Sequence, residues 1–271
     1  MQEQIQAKNE KRSCTILGIS IWRLFAYFII YSFLGYIIET LFAIITKGVW
    51  ECRQSFLYGP FLGIYGLGAI CIILFSKYFN KNNITLFIGG YIIGSVTEYM
   101  ISFLTEAILH TGWWDYSNYI LNVNGRICLL YSFFWAILTI FLMKKLNPWI
   151  DKMIEKIKTK MPIKLIKGII LVIIIFLAID CLLTCYAQQQ FIIRMVIEKH
   201  IEMECYEEIL EEYNKTYGNK TLDKVINTLW NDKKMIRTFP NINIKDKNGN
   251  VIFIDSLLPE IQPYYLKVFD K

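Results

Sequence analysis

The sequence predicts an all-α membrane protein, with about five transmembrane helices followed by a small extracytoplasmic α+β tail. Of its 271 residues, 55% are hydrophobic, and the mean hydropathy of +0.37 is high for a soluble domain. The apolar residues lie in five long blocks that contain few charges. Lysine and arginine are concentrated in alternate segments between those blocks, as the positive-inside rule leads us to expect of a multi-pass protein.

Each block approaches or exceeds the length of about 20 residues that an apolar helix needs to cross a bilayer. The second and fourth blocks are the shortest, and neither contains a charged residue. The segment before the first block is polar as far as Arg12, and the apolar run that follows is too long for a secretory signal peptide. We therefore expect the first span to remain in the mature protein. The predicted spans are residues 24–46, 60–76, 84–109, 127–143 and 168–187.

The distribution of positive charge predicts which ends of the helices face the cytoplasm. The N-terminal segment, the loop after the second span and the segment after the fourth together contain 14 lysines and arginines. The other two loops contain three, so the N-terminus is predicted to be cytoplasmic. The predicted regions are a cytoplasmic segment 1–23, a four-helix transmembrane core 24–143, a basic amphipathic cytoplasmic segment 144–167, a fifth transmembrane helix 168–187 and an extracytoplasmic tail 188–271.

The basic segment 144–167 has apolar residues at helical spacing, namely Ile150, Met153, Ile154 and Ile157, with lysines between them. This pattern predicts an amphipathic helix that lies on an anionic inner leaflet and ends at Pro162. The alternative is a plain positive-inside anchor with no further role.

In the tail, residues 188–213 are rich in glutamate, which favours an exposed helix that could continue the fifth span. Two alternating runs flank Asn248 and Gly249, a strong signal for a β-hairpin. Seven cysteines are present without a zinc-like spacing. Cys52 and Cys205 lie outside the spans and could pair, although two unrelated thiols are the favoured interpretation.

Four ionisable residues lie within the predicted spans, where such groups are functional candidates by default. They are Glu39, Glu98, Glu106 and Asp180. Along the third span, Gly90, Gly94, Glu98, Ser102 and Glu106 recur every four residues and form one stripe. Small residues allow close helix packing, and we predict that role for Gly35, Gly59, Gly63, Gly66, Gly90 and Gly94. The alternative for the glutamates is a purely structural one, as neutral groups bonded to tyrosine or serine.

The loop at residues 110–126 combines aromatic and polar residues before a purely apolar run. Its tryptophans and tyrosines suit the headgroup level of a bilayer, which a plain aromatic belt would also explain. Arg126 is the only base of the loop, and Glu98, Glu106 and Asp115 are the nearest acids. We expect Arg126 to turn inward and pair with one of them, and we favour Glu106. The predicted solute path comprises Glu39, Glu98, Tyr99, Glu106, Asp115 and Arg126.

Three long motifs carry a resemblance to a known family: "YSFLGYIIET", "SFLYGPFLGIYGLGA" and "TEYMISFLTEAILHTGWWDYSNYILNVNGRICLLYSFFWA". Together with a later "FPNI", they resemble the ABC-transporter permease family of the CmpB type. The resemblance is strong over residues 24–150 and implies an integral protein of the bacterial plasma membrane. Tyr36 departs from the first motif, where tryptophan is expected. The family pattern falls here on Gly35, Glu39, Gly59, Pro60, Tyr65, Gly66, Glu98, Tyr99, Glu106, Trp114, Asp115, Tyr116, Asn124, Gly125 and Arg126.

Two functions compete at this level. The first is a permease, or a permease subunit, that moves a small solute through a polar path between the first four helices. Because the chain has no Walker A motif, this function would need a cytosolic ATPase subunit, and five spans suggest a homodimer or another partner. The alternative is a non-transporting sensor or assembly protein of the bacterial envelope. We do not expect an enzyme, a cofactor, a metal or a nucleic-acid partner. We do expect contact with membrane lipid.

Overall fold

The computed structural model describes residues 14–269, so most of the predicted cytoplasmic segment 1–23 lies outside the described residues. A short hairpin, β1 (Thr15–Ile16) and β2 (Ile19–Ser20), leads into α1 (Ile21–Lys47). The remaining elements of the membrane region are β3 (Val49–Glu51), α2 (Gly63–Phe79), α3 (Asn83–Leu109), α4 (Leu129–Phe141), a π-helical turn (Leu142–Leu146), α5 (Asn147–Lys160) and α6 (Ile163–Glu198). After these come α7 (Tyr206–Tyr217), α8 (Lys220–Leu229), α9 (Asp232–Thr238), β4 (Asn243–Lys245), β5 (Val251–Phe253), a 3₁₀ turn (Ile254–Leu257) and β6 (Tyr264–Lys267).

Within residues 14–269, four helical stretches are long and apolar enough to cross a membrane: α1, α3, Leu129–Lys160 and α6. The second predicted span corresponds to α2, which is apolar but has 17 residues. At 1.5 Å per residue it is roughly 25 Å long, slightly less than the ~30 Å hydrocarbon core. The structure therefore confirms a mostly helical, multi-pass membrane protein and supports four spans by length and composition.

Close helix packing in the membrane region occurs at four of the six predicted glycines, namely Gly35, Gly66, Gly90 and Gly94. A Cβ atom added at Gly35 would lie 2.4 Å from Cβ of Tyr65, and one added at Gly66 would lie 2.2 Å from Oγ of Ser32. These two sites bring α1 and α2 together. Gly90 is covered by Thr139 in the same way, which brings α3 onto α4. The absence of side chains thus lets the helices approach closely, as expected where packing rather than the hydrophobic effect drives association.

Gly59 is an exception to the predicted packing role. It precedes α2 and has a φ angle of 90°, so its function is to turn the backbone rather than to admit a neighbouring helix. Gly63 is the first residue of α2, and its added Cβ would lie 3.3 Å from the ring of Phe56. The predicted span began too early because the apolar residues at 60–62 were counted as helical.

The basic segment contains a helix, α5, which ends before Pro162 as predicted. It does not form a separate surface helix, however, because α4, the π-helical turn and α5 are continuous. The apolar face of α5 packs on protein: Ile150 is fully buried against α1, with Ile154 beside it. Tyr31 also donates a hydrogen bond to Oδ1 of Asn147 at 2.9 Å. The prediction that this apolar face lies on lipid was wrong, because amphipathicity alone does not reveal whether lipid or protein covers the face.

The tail forms a second hydrophobic core, which we call the cap and define as residues 187–269. The fifth predicted span ends at 187, but α6 continues to Glu198 and enters this core. Residues Phe191–Val196 are buried there with Trp230, Met235 and Ile236, so the prediction of an exposed helix from residue 188 was wrong at its start. The predicted hairpin is confirmed, with Ile244 opposite Ile252.

Backbone contacts attach the cap to one end of the helical bundle. Strand β6 pairs with β3, which follows α1 directly. Gly112, just after α3, exchanges two backbone hydrogen bonds with Asn243. Asp180 of α6 accepts hydrogen bonds from the backbone N–H of Tyr58 at 3.0 and 3.3 Å. Asp180 thus has a structural role between α6 and the α1–α2 loop.

All seven cysteines lie within the described residues and are free, so Cys52 and Cys205 do not pair.

Candidate functional site

Glu98 is buried in the helical bundle and is held by neutral donors. It lies on α3, and its Oε1 accepts a hydrogen bond from the hydroxyl of Tyr116 at 3.0 Å. Its Oε2 accepts one from Nε1 of Trp135 on α4 at 3.1 Å. Burial, followed by the nearby Glu98 carboxylate, raises the pKa of Tyr116 above its usual range, so this tyrosine remains a protonated donor. The aromatic loop therefore reaches into the bundle rather than lying only at headgroup level.

Glu39 of α1 has a similar neutral donor. The hydroxyl of Tyr65 on α2 donates a hydrogen bond to Oε1 of Glu39 at 2.6 Å. The ring of Tyr65 lies beside that of Trp135, with 5.8 Å between their centroids. Two aromatic side chains thus connect the carboxylates of Glu39 and Glu98, which come from different helices. We call Glu39, Tyr65, Glu98, Tyr116 and Trp135 the inner cluster.

The inner cluster is tightly packed in this structure. An added Cβ atom at Gly94 would lie 2.5 Å from Cβ of Trp135, just as Tyr65 fills the space above Gly35. A small apolar cavity beside these rings has a volume of about 30 Å³, roughly the volume that one water molecule occupies in the liquid. The side chains that face the glycines therefore close the predicted solute path at this level.

Glu106 lies at the cap end of α3 and is held by cations. Nη1 of Arg126 lies 2.7 Å from its Oε2, so the predicted pairing is present in the structure. Nζ of Lys245, on strand β4 of the cap, donates to the two carboxylate oxygens at 3.0 and 2.9 Å. One carboxylate thus bridges the membrane helices and the cap. We call Glu106, Arg126 and Lys245 the ion cluster.

Aromatic and polar neighbours of α3 hold Arg126 in place. Its guanidinium carbon lies 5.7 Å from the ring centre of Tyr99 and 5.6 Å from that of Phe103, distances typical of cation–π contacts. Asn124 donates to the Tyr99 hydroxyl at 3.0 Å, which fixes the loop against the helix. The side chain of Arg126 is consequently only 12% exposed.

Asp115 is bonded within its own loop. Its Oδ1 accepts hydrogen bonds from the backbone N–H and the hydroxyl of Ser117, at 3.0 and 2.6 Å. That oxygen also lies against Gly125, whose φ angle is 67°. Asp115 therefore shapes the loop, and it is not an ion-pair partner of Arg126 in the described part of the chain. A short polar side chain that bonds its own turn is a common use of aspartate.

A cavity of about 360 Å³ lies between the cap, the end of α3 and the loop that follows α3. On the membrane side it is lined by Ser102, Glu106, His110, Trp114, Asp115 and Arg126. On the cap side it is lined by Glu204, Asn243, Lys245, Asp246 and Lys247, among others. Its volume is at the lower end of the range of small-ligand sites, roughly 300–1,000 Å³.

The structure divides the six predicted path residues among three places. Glu39 and Glu98 belong to the inner cluster, and Glu106 and Arg126 belong to the ion cluster. Tyr99 and Asp115 support the loop. Sequence reasoning missed Lys245 because it lies 139 residues from Glu106, and no local pattern reveals such a contact. Tyr65 lies on the family pattern, but its role as a donor to Glu39 was not predicted, and Trp135 was missed because it looks like an ordinary apolar residue of a span. No group of three or more metal-binding side chains occurs among residues 14–269.

Comparison with known proteins agrees with this architecture. No curated protein and no solved structure matches the chain. A family model described as "Putative ABC-transporter type IV" matches residues 26–185, which is more than half of the chain and includes both clusters except Lys245. The chain therefore belongs to this ABC-transporter-type family of membrane proteins.

Proposed function

We propose that the protein is the membrane-spanning, permease-type component of a transport system and receives a small solute from the cap side. The observation that carries this proposal is the cavity between the cap, the end of α3 and the loop that follows α3. Its wall residue Trp114 stacks near Tyr116, with ring centroids 6.4 Å apart, and Tyr116 bonds Glu98 inside the bundle. A solute in the cavity would thus lie at the start of a row of polar groups leading inward.

The proposal includes five membrane crossings, with the N-terminus inside and the cap outside. The positive-inside count supports it, and so do the contacts of the cap. Because β3 and Gly112 both touch the cap, the loops after α1 and α3 lie at the same end of the bundle. Helices α2 and α3 must then pass to the other end and back, so α2 crosses despite its short length.

Labelling with a membrane-impermeant thiol reagent tests this topology. A cysteine placed at Asn248, in the exposed hairpin turn, should react in intact cells, whereas one placed at Lys158 should react only after lysis. The reverse pattern would overturn the orientation. Because the chain has seven native cysteines, the unsubstituted protein serves as the baseline.

A transporter of this type needs a cytosolic source of energy, which we propose to be a separate ATPase subunit. Helix α5 is the candidate contact because it extends the α4 helix beyond the membrane and is anchored on α1. Arg23 of α1 pairs with Asp151 and Glu155 of α5, each at 3.2 Å, and Tyr27 also bonds Asp151. A push on α5 would thus be transmitted to α1 as well as α4. A second copy of the chain would supply further helices.

Solute uptake by cells tests the transport role. A strain that lacks the gene should lose uptake of at least one small radiolabelled solute, and the wild-type gene should restore it. Glu98→Gln should not restore it if the inner carboxylate is needed, whereas Glu207→Gln, in the cap but outside the cavity lining, should. Identical uptake with and without the gene would contradict a transport function.

A second candidate is a receptor or assembly protein that does not transport. It is favoured by the closed inner cluster, in which Tyr65 and Trp135 fill the space above Gly35 and Gly94. Solute-dependent stabilisation of the purified protein without any solute-dependent uptake would support this second function, since a bound ligand raises apparent stability by mass action.

A further inference from the structure

The charged residues of the cavity differ in how fully they are already satisfied. Asp115 is bonded to Ser117, and Lys247 pairs with Glu202. Asp246 closes the hairpin turn by accepting from the side-chain amide of Asn250 and from the backbone N–H groups of residues 250 and 248, and this bonding lowers its pKa. These three side chains are committed to local structure. They leave the ion cluster and Glu204 as the charges available to a ligand.

The ion cluster carries a net positive charge. Arg126 and Lys245 share the single carboxylate of Glu106, so one positive charge is not balanced within the cluster. In addition, Nε of Arg126 is buried and has no hydrogen-bond partner. Lys245 is 38% exposed at the cavity, which leaves room for another anionic group to approach. A carboxylate or phosphate oxygen is the ligand group that such paired cations favour.

Glu204 supplies the opposite charge on the cap side of the cavity. It is exposed, and within residues 14–269 it makes no ion pair. It lies in the lining together with the ring of Trp114, whose Nε1 donates to the backbone carbonyl of Arg126 at 2.9 Å. A carboxylate and an aromatic ring in one cavity are both groups that attract an ammonium group. The cavity thus has one net positive group and one free negative group.

We propose that this cavity binds a small zwitterion, with its anionic group on Arg126 and Lys245 and its ammonium group on Glu204. The volume of about 360 Å³ suits a single amino acid, a short peptide or a lipid headgroup of the same charge pattern. The proposal rests on the proposed function, because it names the class of solute that enters from the cap side. It would also hold for a receptor that binds the same class without moving it.

Thermal unfolding of the purified, detergent-solubilised protein tests the inference. The probes are the twenty standard amino acids, with acetate and methylammonium as ligands that carry one charge each. At least one amino acid should raise the unfolding midpoint in a concentration-dependent way, and neither half-ligand should match it. Absence of a shift with all twenty, together with no effect of the lipid probe below, would overturn the proposal.

Matched variants separate the two charges. Lys245→Met and Glu204→Gln should each weaken the apparent affinity at least about tenfold, the loss expected for one charge-assisted contact. Glu208→Gln, an exposed change on α7 outside the cavity lining, should leave it unchanged. Each shift is measured against the variant's own unliganded midpoint, so a change in basal stability does not obscure the result. Unchanged affinity in Glu204→Gln, or a shift with acetate equal to that with the amino acid, would overturn the zwitterion assignment.

A lipid arm distinguishes the source of the zwitterion. The same variants are compared in nanodiscs that contain phosphatidylethanolamine or only phosphatidylglycerol. Stabilisation by phosphatidylethanolamine that depends on Lys245 and Glu204 supports the zwitterion site but counts against a free solute. Binding of an amino acid without gene-dependent uptake leaves the inference intact and removes the transport function instead.

Discussion

Glu98 and Glu106 lie on the same face of α3, eight residues apart, but their carboxylates are satisfied in different ways. Glu98 is buried and accepts hydrogen bonds from neutral donors, the hydroxyl of Tyr116 and the indole of Trp135. Glu106 lies at the end of the helix, is 35% exposed and faces two cations. The comparison shows that position along one stripe decides whether a carboxylate acts as a packed polar group or as an ionic link.

The difference has a physical basis. A charge at the middle of a span costs more to bury than one near the interface. Adding a cation beside Glu98 would bury a second charge there, and its carboxyl group is held by neutral hydrogen-bond donors instead. Near the interface, water lowers the cost of bringing three charges together, and the cap can supply the third. The ion cluster can therefore connect two parts of the molecule, whereas the inner cluster fixes helices within one part.

The largest expected loss of stability comes from placing a bulky side chain inside the inner cluster. Gly94→Leu would place side-chain atoms where Cβ of Trp135 already lies, 2.5 Å from the added Cβ. Overpacking costs about 1–3 kcal/mol, and here we expect the upper end, because Trp135 must move away from Glu98 as well. Val96→Leu, on the exposed side of the same helix, should change the unfolding midpoint in detergent little. Equal midpoints for the two variants would show that α3 and α4 do not pack as described.

A second prediction compares the two glutamates directly. Glu98→Gln should cost less than about 1 kcal/mol, because the amide oxygen can accept from Trp135 while the amide N–H₂ donates to the Tyr116 hydroxyl. Glu106→Gln should cost about 2 kcal/mol, since it leaves Arg126 and Lys245 without their carboxylate. This is below the ~3–5 kcal/mol of a fully buried pair because Glu106 is partly exposed. Chemical or thermal unfolding in detergent measures both, and a larger loss for Glu98→Gln would reverse the comparison.

The smallest expected effect concerns the cap contribution to the ion cluster. Lys245→Met should lower stability by about 0.5 kcal/mol, because exposed ion pairs contribute little. The loss of stability should be smaller still in 1 M salt, because the Debye length is then only about 3 Å and the salt screens the ion pair. Lys224→Met, an exposed lysine of α8, is the matched control and should show neither effect. A salt-independent loss of several kcal/mol would mean that Lys245 acts through packing instead.

The sequence predicted the helical part of this architecture well because hydropathy and glycine spacing are local signals. The pairing of Arg126 with Glu106 was also predictable, since helices adjacent in sequence are commonly neighbours in space. The apolar face of α5 was assigned to lipid, although Ile150 packs on α1, because periodicity does not identify the covering partner. The contact of Lys245 with Glu106 could not be predicted for a similar reason, because it depends on how the cap folds.

The coupling between Glu106 and Arg126 is the most direct test of the ionic link at the cap end of α3. A double-mutant cycle of Glu106→Gln, Arg126→Gln and the double variant, measured by unfolding in detergent, isolates this pair from the rest of the molecule. We expect Glu106→Gln to cost more than Arg126→Gln, because Lys245 still faces Glu106 in the latter. The double variant should recover part of the loss, with a coupling of about 1–2 kcal/mol. A coupling below about 0.5 kcal/mol would contradict the ion pair that joins α3 to the loop before α4, and with it the ion cluster as described.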